Sequence, residues 1–187
     1  IAYQHLTLGG AGAKTLPVGL TTIGGNLSIS GSAATTTAAD LTIGGSLTTI
    51  GSLLTANHAL NIGGNWSGTF IAGTSTVTLQ GTSAQTISGS PVFNHLTINK
   101  PSLGVTLSTN ATVNGTLTLT NGKITTGIRT LIIGSGGSIT GASATNYVIG
   151  NLQKSFATSG SPQSFTFAIG DATAYTPIDL TVGSVST

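Results

Sequence analysis

One short phrase returns along the chain at a near-constant interval. It reads Leu20-Thr-Thr-Ile-Gly-Gly-Asn-Leu27, then Asp40-Leu-Thr-Ile-Gly-Gly-Ser-Leu47, then Ala59-Leu-Asn-Ile-Gly-Gly-Asn-Trp66. The Gly-Gly pairs begin at 24, 44 and 63, so the steps are 44 − 24 = 20 and 63 − 44 = 19. Looser copies follow at Val113–Leu119 and Leu131–Ser135. A fixed interval of this size marks a solenoid, in which each coil buries its apolar side against its neighbours.

Within each rung the apolar residues fall at every second position, as in Leu6/Leu8, Leu27/Ile29, Leu41/Ile43, Val77/Leu79, Leu96/Ile98 and Leu117/Leu119. Thr, Ser or Asn stands between them, the two-residue period of a half-buried strand. No stretch carries a helical period with caps. The fold expected is therefore all-β, a parallel β-solenoid (β-helix) with rungs of about twenty residues, followed by a short β-rich C-terminal segment. About seven rungs at the usual strand spacing would span roughly 30–35 Å. Gly24-Gly25, Gly44-Gly45 and Gly63-Gly64 read as corners, where glycine supplies positive φ or close backbone approach. Asn26, Ser46 and Asn65 follow these corners and are expected to stack as a polar ladder.

A longer repeat lies above the rungs. Tyr3-Gln-His-Leu-Thr-Leu8 matches Phe93-Asn-His-Leu-Thr-Ile98, a shift of 93 − 3 = 90, and the same shift carries Ile23–Ile29 onto Val113–Leu119 and Leu41–Gly44 onto Leu131–Gly134. The solenoid is thus assigned to residues 1–145, with superrepeats 3–92 and 93–145. Near Asn146 the pattern changes to three longer strands with most of the Phe and Tyr residues. Residues 146–187 are expected to cap the solenoid or to open a β-sandwich, since three strands make a poor sandwich alone.

Composition narrows the function. Charged residues are 4% of the chain, and the five cations, Lys14, Lys100, Lys123, Arg129 and Lys154, are too scattered to form the basic patch that nucleic-acid binding requires. With no Cys there is no disulfide or metal thiolate, and no apolar run is long enough to cross a membrane as a helix. The chain begins at Ile1 without Met or a signal peptide, as a mature or fragment sequence would.

The phrases Gly-Asn-Leu-Ser-Ile, Phe93-Asn-His-Leu-Thr-Ile98 and Tyr147-Val-x-Gly-x-Leu … Phe165-x-Phe-x-Ile-Gly … Tyr175-x-Pro-Ile resemble those of the large secreted repeat proteins of gliding bacteria and their relatives. The resemblance spans nearly the whole chain on short, low-complexity motifs. It implies export to the cell surface, β-helix architecture and adhesive or structural use, and it implies no catalytic residue.

The residues themselves point the same way. A hydrolase or lyase on this scaffold would need clustered carboxylates, yet only Asp40, Asp171 and Asp179 exist. His5 and His95 are related by the ninety-residue shift and share a structural niche, and His58 reads as a loop residue. No His/Asp cluster supports zinc, and the Gly-rich runs precede no helix that could cradle phosphate. No catalytic, cofactor or metal residue is assigned, and no enzyme activity is expected. Trp66 is a candidate surface contact, although its repeat position, shared with Leu27 and Leu47, favours core packing. The function expected is an extracellular structural or adhesive protein, a segment of a cell-surface filament or long adhesin. Its partners would be further copies or covalent repeats end to end, or glycans and surfaces, because neither end reads as a polar capping repeat. The alternative is a surface-binding solenoid that meets ice or glycans through flat Thr rows.

Overall fold

The computed structural model describes residues 2–55, 57–158 and 161–183. Ile1 and Thr187, the two ends of the sequence, lie outside the described residues. No helix occurs among the described residues; the chain is built from short strands that coil. The first coil is β1 (Leu6–Leu8), β2 (Ala11–Thr15) and β3 (Thr22–Ile23); the second is β4 (Leu27–Ile29), β5 (Ser32–Thr36) and β6 (Leu41–Ile43). The third is β7 (Leu47–Thr49), β8 (Ser52–Leu54) and β9 (Leu60–Ile62), and the fourth has β10 (Trp66–Gly68), a single bridge at Ile71 and β11 (Thr76–Gln80). Then come β12 (Gln85–Ser88), β13 (Val92–Phe93) and β14 (His95–Asn99); β15 (Val105–Leu107), β16 (Ala111–Val113) and β17 (Thr116–Asn121). β18 (Ile124–Ile133) bends round one corner before β19 (Ser138–Thr140), and β20 (Val148–Lys154), β21 (Gln163–Phe167), β22 (Ile169–Gly170) and β23 (Ile178–Val182) complete the chain.

Each coil therefore visits three faces in order. Face I stacks β1, β4, β7, β10, β12, β15, the start of β18, the start of β20, and β22, all in parallel. Face III stacks β3, β6, β9, β11, β14, β17 and β19, also in parallel. Face II is β2, β5 and β8 below, and β13, β16 and the second halves of β18 and β20 above. The parallel stack makes about eight turns, roughly 38 Å at the usual strand spacing. Alternation dictates the interior. Leu27, Leu47, Trp66 and Ile87 form one inward column, and Ile23, Ile43, Ile62, Leu79, Ile98 and Leu119 another, all buried. Each such side chain contributes on the order of 1.5–3 kcal/mol.

The ninety-residue repeat is not a whole number of coils. Tyr3 bridges to Ile23 on face III, whereas its counterpart Phe93 lies in β13 on face II. Likewise Leu6–Leu8 is on face I and Leu96–Ile98 on face III. Four turns carry Tyr3 through Ile23, Ile43 and Ile62 to Leu79, and two more faces reach Phe93. What repeats is a strand–corner–strand unit, and the corners accept it interchangeably.

Stacking also runs beyond residue 145. β20 pairs along its length with β18, and β22 pairs with β20, so the first of the three C-terminal strands belongs to the solenoid. The remaining two form an antiparallel hairpin, β21–β23. Its Phe165 joins the core cluster, with Phe156 and Phe167 packed against it.

Candidate functional site

The corner leading from face III to face I carries the residues singled out by the repeat. None of Gly24, Gly25, Gly44, Gly45, Gly63 and Gly64 has positive φ. Their need is for space: a Cβ on Gly44 would strike the carbonyl oxygen of Gly24, and one on Gly63 that of Gly44. The second glycines, Gly45 and Gly64, lie as closely over the corner of the coil below.

The ladder at this corner differs from stacked amides. His5 Nδ1 accepts the backbone N–H of Asn26 at 3.0 Å, Asn26 Oδ1 accepts that of Ser46 at 2.9 Å, Ser46 Oγ that of Asn65 at 2.9 Å, and Asn65 Oδ1 that of Thr86 at 2.9 Å. Each side chain thus satisfies an orphan amide one coil further on. His95 repeats the arrangement at the next corner, its Nδ1 accepting the Thr116 N–H at 3.0 Å. Both imidazoles must be neutral at Nδ1 to do so. The shared niche of the two histidines is therefore an amide acceptor.

Trp66 is no surface contact. It is 1% exposed, donates from Nε1 to the Gly68 carbonyl at 2.9 Å, and lies edge-on to Phe70 and Phe93 at 4.8 and 5.1 Å between centroids. Its place in the inward column after Leu47 fixes this. The aromatic trio sits where face II is interrupted, since Ile71 bonds only to the coil below and β13 pairs only with β16 above.

Sequence reasoning missed what the lysines do. Lys100 is fully buried, and its ammonium donates to the carbonyls of Ser83 at 2.5 Å and Gln80 at 3.3 Å. Lys154 donates to the carbonyls of Gly134, Ser135 and Gly137 at 2.6, 2.9 and 2.8 Å. Burial pushes both ammonium groups below the ordinary lysine range. Lys123 donates to the Tyr147 hydroxyl at 2.6 Å and Lys14 to the Ala11 carbonyl at 3.1 Å. No sequence pattern marks them: the carbonyls that Lys100 and Lys154 reach lie seventeen to twenty residues earlier, one coil below.

The three carboxylates are dispersed. Asp40 accepts the Ala59 N–H at 2.8 Å and lies 3.7 Å from His58; Asp179 accepts the Thr166 hydroxyl. Asp171 accepts from the Thr173 hydroxyl and from the amides of Thr173 and Ala174, which hold its carboxyl below the usual range. Among the described residues no three His, Cys, Asp or Glu side chains come together.

Outward on face III, Thr22, Thr42, Asn61, Thr78, Thr97, Thr118 and Thr140 stand in one column across seven coils. Beside it run Thr76, His95, Thr116 and Ser138. These columns contain no lysine or carboxylate. No family model, curated protein or solved structure matches the chain.

Proposed function

We propose that the chain is a rigid structural or adhesive segment of an extracellular surface protein or filament. The observation that supports this reading most is the disposal of its charge. Four of the five cations are spent on the chain's own carbonyls and hydroxyl, each carboxylate accepts from a neighbouring backbone or hydroxyl donor, and coil is tied to coil at every corner described above. A rod built this way holds its shape and, with charged residues only 4% of the chain, meets other surfaces mostly through uncharged side chains. The test is retention of chain-coated beads on polysaccharide and abiotic surfaces at low and at molar salt. Retention that survives high salt is expected, because screening acts on charges. Retention on no surface, or retention abolished by salt, contradicts the reading.

A second reading, surface binding to ice or glycans, is favoured by the face III column alone. Its small polar side chains, Thr in every coil but that of Asn61, repeat about 4.8 Å apart on an unbroken sheet. Lysine at Thr78, Thr97 and Thr118 together should abolish thermal hysteresis or glycan pull-down if that face is the binding surface. Wild-type chain silent in both assays removes this reading and leaves the first intact.

A further inference from the structure

His5 and His95 are the two ladder acceptors that a proton can take away. Asn26 Oδ1, Ser46 Oγ and Asn65 Oδ1 accept the amides of Ser46, Asn65 and Thr86 whatever the pH. The Nδ1 atoms of His5 and His95 accept those of Asn26 and Thr116 only while they carry no proton. Both rings are also confined by a glycine of the coil above. A Cβ on Gly25 would run into Cε1 and Nδ1 of His5, and one on Gly115 into the same atoms of His95. The ring edge that bonds the amide is therefore the edge on which the next coil closes.

The surroundings of the two rings are uncharged. Above His5 stand Gly25 and Asn26, and the titratable residue of its own segment is Tyr3. His95 lies between Thr76 of β11 below and Gly115 and Thr116 above. Among the described residues the histidine with a carboxylate beside it is His58, 3.7 Å from Asp40.

We propose that His5 and His95 are proton-operated latches between coils. Protonation at Nδ1 turns the acceptor into a donor that faces another donor, so the bond is lost and the amide of the next coil is left unpaired. The neutral ring supports the fold and the protonated ring does not. This part of the stability is therefore present above the range in which histidine titrates and is lost as pH falls through it. His5 ties the first coil to the second, and His95 ties the coil of β14 to that of β17. Acid loosens the rod at these two rungs, while the Asn and Ser rungs between them hold.

Amide hydrogen exchange on the intact chain, compared at about pH 8 and about pH 5, tests the latches. Protection at the Asn26 and Thr116 amides should fall about tenfold in acid, whereas Ser46, Asn65 and Thr86 should keep theirs. The thermal transition should drop by about 5 °C over the same interval. Replacing both residues, His5→Asn with His95→Asn, supplies the acceptor that Asn26 and Asn65 already provide, and both acid effects should vanish. Unchanged protection at Asn26 and Thr116 overturns the proposal. So does a loss shared equally by Ser46, Asn65 and Thr86, or an acid effect that persists in the folded double variant.

Discussion

The lower and the upper coils satisfy the backbone at their corners with different side chains. In the lower coils Gly-Gly brings backbone against backbone, and the groups left over are amides, satisfied by acceptors: His5 Nδ1, Asn26 Oδ1, Ser46 Oγ and Asn65 Oδ1. In the upper coils amides are still met by side-chain acceptors, Asn146 Oδ1 for Gly122 and His95 Nδ1 for Thr116, but ammonium donors are added that satisfy loop carbonyls. Lys100 serves residues 80–83, and Lys154 serves 134–137 at the neighbouring corner. Both regions satisfy the groups their corners leave unpaired, the lower one with small polar acceptors and the upper one with lysines as well.

The largest effect is expected where the two regions meet. Trp66→Ala removes the ring that packs on Phe70 and Phe93 beneath the break in face II and should cost about 3–5 kcal/mol. Calorimetry should then show the lower and upper coils melting in two steps, and a single unshifted transition would remove the distinction between them. Next, Lys154→Met strands three carbonyls in the upper region and should cost about 3 kcal/mol in urea unfolding. In the lower region, Gly63→Ala drives a methyl into the Gly44 carbonyl and should cost about 2 kcal/mol. A neutral outcome there would mean that the coils are not in backbone contact at that corner. The smallest effect sharpens the comparison across faces: His5→Ala and His95→Ala each lose one acceptor for a backbone amide and should each cost about 1 kcal/mol.

The coil was legible because its signal is local and periodic. Leu27/Ile29 and Leu41/Ile43 announce inward positions by alternation, and three Gly-Gly pairs at steps of 20 and 19 announce stacking. The three-sided cross-section was not legible, because a strand–corner–strand unit looks the same whichever corner it turns. For that reason His5 and His95, related by the ninety-residue shift, sit at different corners. The end of the solenoid was misplaced for a related reason. Val148–Lys154 looks like a longer strand of a new kind, yet it is two coil strands joined across a corner, as is β18 beneath it. Trp66 had a core position by repeat and a surface reading by residue type, and the repeat was the better guide. The lysine clamps were hidden because a lone lysine carries no pattern; only the fold shows which carbonyls lie within reach.

Inter-strand nuclear Overhauser contacts at Thr97 test the three-faced parallel stack most directly. Thr97 should contact Thr78 and Thr118, at separations of 97 − 78 = 19 and 118 − 97 = 21 residues, with parallel-strand geometry on both sides. Its repeat counterpart Thr7 should contact Ser28 instead, on a different face. Antiparallel contacts at Thr97, or contacts that place Thr7 and Thr97 on one face, would contradict the account.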